Sequence, residues 1–157
     1  MSSLRQAALK RLARREHSRF ELEEKLSPLG TAEEIAAVLD HLEQTGLLSD
    51  RRMAASYLAS HAGRFGLMKL RHSLRSKGIA PELIAATIAE AEQEDALDGA
   101  KVLASEEVRA HEVWRRKFAA PPANAREWGK QARFLQSRGF SSDAIRKVLK
   151  ETGNGDT

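Results

Sequence analysis

Residues 66–79 read Gly-Leu-Met-Lys-Leu-Arg-His-Ser-Leu-Arg-Ser-Lys-Gly-Ile, and the spacing inside this stretch decides the fold. Leu67, Leu70 and Leu74 recur at three and four residues, so on a helix they share one face, and Gly78 stands where a left-handed residue ends that helix. Arg71 and Arg75 flank the apolar stripe with His72 beside them, while Lys69 and Lys77 point elsewhere around the cylinder. The stretch predicts a short, capped, half-buried helix with a cationic exposed side.

The same signature occurs three times. Leu26 precedes Gly30, Leu74 precedes Gly78 and Leu135 precedes Gly139, each by four residues, with Lys25, Lys77 and Arg138 close by. A second apolar periodicity follows each glycine: Ile35, Val38, Leu39 and Leu42, then Ile84 and Ile88, then Ile145, Val148 and Leu149. A helical segment also precedes each pair, carrying Leu9 and Leu12, then Tyr57 and Leu58, then Val102 and Leu103. Self-similarity of this kind marks a tandem architecture. The expected fold is all-α, three tandem three-helix units of helix-turn-helix type forming an elongated array. Their bounds fall at 1–48, 49–94 and 95–152, with a flexible tail at 153–157. The third unit has the longer first helix or loop. Each unit, at about fifty residues, is near the size at which a lone core is marginal, so the units are expected to lean on one another.

The capping signals refine this outline. The first helix is expected over residues 4–16. Ser18 with Glu21, and Thr31 with Glu34, are capping boxes that start the second and third helices, the second ending at Pro28 and Gly30. Ser49 caps a fourth helix reaching about Gly63, with Met53, Tyr57, Leu58 and His61 near its inner face, and Phe65 in the following turn is expected to pack inward. Pro81 opens a sixth helix that runs to about Gln93. A seventh helix is expected to continue through Val102, Leu103, Val108 and Trp114 towards Arg115, Arg116 and Lys117, broken by Pro121 and Pro122. Trp128, Ala132 and Leu135 should line the eighth, capped near Asn124, and Ser141 or Ser142 starts the ninth.

Charge is distributed in blocks. Residues 51–80 carry seven basic side chains and no acidic one, 81–112 carry two and nine, and 113–157 carry ten and four. Two basic blocks thus flank an acidic one, and such blocks project a potential over roughly 8 to 10 Å, which bears on partners rather than on fold. The acidic run Glu90, Glu92, Glu94, Asp95 and Asp98 scatters around a helix and reads as solvated charge, not a metal site. Cysteine is absent, which removes disulfide and thiolate chemistry and suits a reducing cytoplasm. No apolar run is long enough to span a bilayer. No phosphate-binding glycine loop, dinucleotide fingerprint, nucleophile elbow or zinc-protease helix is present, and His17, His41, His61, His72 and His111 lack metal-ligand spacing. An enzyme, a cofactor or a bound metal is therefore not expected.

Four segments carry a family resemblance: Arg15 to Leu26 (REHSRFELEEKL), Gly46 to Asp50 (GLLSD), the opening stretch of residues 66–79, and Arg133 to Ile145 (RFLQSRGFSSDAI). In order and spacing they resemble the signature segments of the RecX family of bacterial regulatory proteins. That resemblance implies tandem three-helix units, a RecA recombinase filament on DNA as partner, binding in the filament's helical groove, and restraint of ATP hydrolysis, strand exchange and coprotease action. The first unit departs from the family pattern in carrying Ser27-Pro28-Leu29 before Gly30. Arg64, Lys69, Arg71, Arg75 and Lys77 of the second unit are candidate contacts. So are Lys130, Arg133, Arg138, Arg146 and Lys147 of the third. A monomer is expected. The alternative is a plain DNA-binding protein touching single- or double-stranded DNA through phosphates, since no one helix carries the Arg, Asn and Gln cluster that reads base edges. A scaffold for another acidic protein is a third reading.

Overall fold

The computed structural model describes residues 3–93 and 103–154. Among them are nine α-helices, one 3-10 turn and no strands. The helices are α1 (Ser3–Leu12), α2 (Arg19–Leu26), α3 (Ala32–Gln44), α4 (Asp50–His61), α5 (Leu67–Ser76), α6 (Pro81–Glu92), α7 (Glu106–Lys117), α8 (Ala125–Ser137) and α9 (Ser142–Asn154), with the 3-10 turn at Ser27–Leu29. The three-fold succession of helices is as the spacing predicts. By internal contacts the chain divides into two compact units, one of the residues up to Tyr57 with Leu74–Thr87, the other of Leu58–Ser73 with the residues from Ile88 on.

In the first unit the core is built on Leu4, Leu22, Leu26, Ile35, Leu39, Leu42 and Leu48, all buried. Each fully buried leucine contributes about 2 kcal/mol by leaving water. Both capping boxes form. Ser18 Oγ accepts from Glu21 N at 3.1 Å while Glu21 Oε1 accepts from Ser18 N at 3.0 Å, and Thr31 with Glu34 does the same at 3.2 and 3.1 Å. Arg19 then ties α2 to α3, reaching Asp40 and Glu43 at 2.7 Å each, and its backbone N–H donates to Asp50 Oδ1 at 2.8 Å. Burial pushes the Asp50 carboxyl above its ordinary range.

A docking contact recurs in both units. The hydroxyl of Ser18, at the start of α2, donates to the carbonyl of Lys77, in the turn that ends α5. Gly78 in that turn is left-handed at φ +80°, and a Cβ added there would overlap Phe20 of α2. In the second unit the start of α5 meets the end of α8 in the same way: Gly66 N donates to Arg138 O at 2.8 Å and Met68 N to Gly139 O at 3.2 Å. Gly139 is left-handed at φ +89°, and a Cβ on Gly66 would overlap its carbonyl. A helix start has spare N–H donors and a helix end has spare carbonyls, so the second docking satisfies both, while in the first a side-chain hydroxyl satisfies the helix-end carbonyl.

Several expectations need correction. Gly30 is not equivalent to Gly78 and Gly139: its φ is −172°, and the 3-10 turn carrying Pro28 intervenes between it and α2. The first helix stops at Leu12 rather than Glu16, because Arg14 bonds back to Arg11 O, while the Arg15 side chain turns to Glu21 at 2.8 Å. The seventh helix starts at Glu106, where Ser105 Oγ accepts from Val108 N at 3.2 Å; Leu103 precedes it, bonded to Ala91 O. Its end at Lys117 is where the sequence places it, with Phe118 already extended ahead of the prolines. Trp128 is 36% exposed instead of lining α8; the inner position goes to Gln131, whose Oε1 accepts from Trp114 Nε1 at 2.8 Å and whose amide donates to Ala120 O at 3.2 Å. The expected caps at Asn124 and Ser141 form, the latter accepting from Ala144 N. Val102, Glu94, Asp95 and Asp98 lie outside the described residues, as do 155–157.

His17 is buried between α1 and α2. Lys25 can only donate to its Nε2, 3.4 Å away, so the ring proton sits on Nδ1 and is donated to Arg15 O at 3.0 Å. Burial, with the nearby Arg15 and Lys25 charges, holds the imidazole pKa below 6.5.

Two outcomes follow. Gly46, at φ +80° with open space around its missing Cβ, should tolerate Gly46→Ala at about 1 kcal/mol. Gly78→Ala adds the overlap with Phe20 and should cost about 2 to 4 kcal/mol, both read from urea denaturation. For His17 the unfolded chain takes up its proton at a higher pH than the folded chain. Its contribution is therefore intact above pH 6.5 and is lost as pH falls below that value, and His17→Asn should remove this component of the slope between pH 7.5 and 5.5.

Candidate functional site

The second unit brings cations together around two phenylalanine rings. Phe65, in the turn before α5, is half-buried rather than packed wholly inward, and three cations close on it. Lys69 Nζ stands 4.7 Å from its centroid, Arg64 5.8 Å and Arg138 6.0 Å. Phe134 of α8 holds a second set: Arg138 at 5.1 Å and Lys117 Nζ at 5.5 Å. Phe118 meets Phe134 edge-on at 5.4 Å, which fixes the second ring. A cation over an aromatic face gains about 0.5 to 1 kcal/mol at an exposed site, so the rings orient side chains that would otherwise sample many rotamers.

Against Phe134 lies a hollow of about 300 Å³, lined by Arg64, Arg116, Lys117 and Arg138 over Gly63 and Val113. No carboxylate lines it among the described residues. One turn before Val113 on α7, Arg109 is 5% exposed; its Nε donates to Ala62 O at 3.2 Å, and its two terminal nitrogens have no hydrogen-bond partner. Burial lowers the Arg109 pKa, with Glu106 and Glu92 opposing that shift. Such an arrangement suits a multiply charged anion. Among the described residues no group of three or more His, Cys, Asp or Glu could hold a metal ion.

A second basic hollow lies on α8, where Arg126, Lys130 and Arg133 recur at four and three residues beside Asn124 and Glu127. Of the sequence candidates, Arg64, Lys69 and Arg138 thus converge on Phe65, and Lys130 with Arg133 shares the α8 hollow. Arg71 and Lys147 are exposed and line neither. Arg146 is paired with Asp143 at 2.7 Å. Arg75 and Lys77 belong to the first unit, Arg75 exposed and the Lys77 ammonium 5.6 Å from the Tyr57 ring. Arg116, Lys117, Arg126 and the two rings were missing from the sequence candidates. The run Arg115-Arg116-Lys117 just ahead of an aromatic and two prolines was the available signal for part of this set.

Glu106 holds the site's frame. From the first turn of α7 its Oε1 accepts from Leu67 N at 3.2 Å and Ser141 N at 3.3 Å, joining the starts of α5 and α9.

Comparisons with known proteins agree with this architecture. Family profiles described as the first, second and third three-helix domains of RecX match residues 5–42, 49–88 and 105–149. The chain is 48% identical over 149 residues to the regulatory protein RecX of Leptothrix cholodnii, covering 94% of this chain and 88% of that one. It is 42% identical over 148 residues to that of Herbaspirillum seropedicae, with 94% and 89% covered. The crystal structure of RecX from Lactobacillus salivarius superposes with a TM-score of 0.74 at 21% identity, covering 96% and 94%, a likeness of fold.

Glu106→Ala would leave two partly buried amides without their acceptor and should destabilise the chain by about 2 to 3 kcal/mol in urea. Glu106→Gln keeps an oxygen acceptor and should recover most of that loss.

Proposed function

The chain belongs to the RecX family of regulatory proteins, and from that premise we propose that it acts on a RecA recombinase filament assembled on DNA. It lies in the filament's helical groove and restrains ATP hydrolysis, strand exchange and coprotease action. It works in the cytoplasm, as a monomer and by binding rather than catalysis, through three units at 1–48, 49–94 and 95–152. The observation that supports a binding role most directly is the set of cations fixed on Phe65 and Phe134 without a lining carboxylate. A filament presents both protein carboxylates and DNA phosphates, and a cationic surface complements either. No helix among the described residues is long and apolar enough to cross a membrane.

A second reading, direct binding to DNA through phosphates, draws support from the α8 row of Arg126, Lys130 and Arg133. Salt separates the two. Binding to bare DNA through phosphates alone weakens with a log-log slope of about −0.7 to −0.9 per phosphate contacted, whereas groove binding requires the recombinase and persists when free DNA is competed away. Arg71 and Arg75, both exposed on α5, test the regulator directly. Reversing both charges, Arg71→Glu with Arg75→Glu, should weaken inhibition of recombinase ATP hydrolysis while circular dichroism reports unchanged helix content. Unchanged inhibition removes these two residues from the contact.

A further inference from the structure

We propose that the hollow against Phe134 holds backbone phosphates of a single nucleic-acid strand whose path continues along α8. The inference deepens the function proposed above and rests on the second unit being a contact surface.

Three observations carry it. The hollow is lined by Arg64, Arg116, Lys117 and Arg138 and, among the described residues, by no carboxylate, so it attracts an anion. The rings that would offer stacking to a base are engaged by Lys69, Lys117 and Arg138. Recognition there is of charge, not of base. Finally, Arg126, Lys130 and Arg133 form one row on α8 beside Glu127, and Phe134 and Arg138, which line the hollow, follow about 80 to 120° farther around the same helix and the turn that ends it. At 1.5 Å per residue Arg126 and Arg138 are about 18 Å apart along the helix axis. Cations repeated along such a line match a polymer whose charges recur at every unit. A peptide with scattered carboxylates matches only part of it. The concave shape favours one flexible strand over a duplex, whose phosphates are held at a fixed radius.

The test uses the purified full chain without recombinase and fluorescein-labelled oligothymidylate, read by anisotropy across 50 to 200 mM salt. Arg116→Glu with Lys117→Glu changes two exposed side chains and should weaken binding about tenfold or more, with the salt slope shallower by about one unit for each phosphate no longer neutralised. Arg138→Met, which retains the backbone carbonyl that receives Gly66, should act in the same direction. Lys150→Glu, exposed on α9, controls for net charge. Oligoadenylate should bind as oligothymidylate does. Unchanged oligonucleotide binding in both hollow variants overturns the assignment. A strong base preference overturns it, as does tighter binding of duplex. Displacement of the strand by hexaglutamate at equal charge also overturns it and gives the hollow to an acidic protein segment. Recombinase ATPase assays on the same variants separate the two levels. Lost strand binding with intact inhibition supports the phosphate site and counts against the regulator acting through it. Lost inhibition with intact strand binding overturns the phosphate site and leaves the regulator standing.

Discussion

The fold depends on one exchange: donors at the start of one helix, backbone amides in one case and a hydroxyl in the other, meet the spare carbonyls at the end of another. Gly66 and Met68 give their N–H groups to Arg138 and Gly139, and the Ser18 hydroxyl gives its proton to Lys77. Each contact joins one three-helix repeat to the following one, and each is made close by a glycine that leaves room for the neighbour. A repeat of this size buries too little apolar surface to be secure alone. Joined through its polar helix ends, it hides groups that would otherwise need water while adding to the buried leucine face.

The same exchange explains what could be read from the amino-acid sequence. Capping boxes are local, three residues from Ser18 to Glu21 or from Thr31 to Glu34, and both form as their spacing predicts. The leucine stripes are local too, and Leu26, Leu74 and Leu135 are all fully buried. Features fixed by a distant partner were harder. Arg15 leaves the first helix for Glu21, Ser105 takes over the start of α7, and Gln131 claims an inner place because Trp114 and Ala120 satisfy its amide. The partners of Arg15 and Gln131 lie more than one helical turn away along the chain. Gly30 looks like Gly78 in sequence, yet only the second receives a helix start, and only the second is left-handed.

The site divides in the same manner. Its charges were visible as a basic block, and three of the candidate residues, Arg64, Lys69 and Arg138, do meet at one ring. The rings themselves were not visible as organisers. Phe65 reads as a core residue from its flanking glycines, and Phe134 sits beside the stripe residue Leu135 without belonging to the stripe. Whether an aromatic packs inward or carries cations is decided by which side chains arrive from other helices. Lys117 reaches Phe134 from the end of α7, and Arg138 touches both rings because the turn after α8 is held at the start of α5.

The odd shape of the turn at Ser27–Leu29 has a consequence for self-association. Head-to-tail contacts between unlike surfaces generate open polymers unless something terminates them. Here the surface that a further copy's helix start would have to engage is spoiled at its own end: Pro28 tightens the backbone, and Gly30 is extended where Gly78 and Gly139 curl back. The turn at Ser27–Leu29 therefore lacks the left-handed corner on which the ends of α5 and α8 each receive a helix start, and a second copy would find no such corner there.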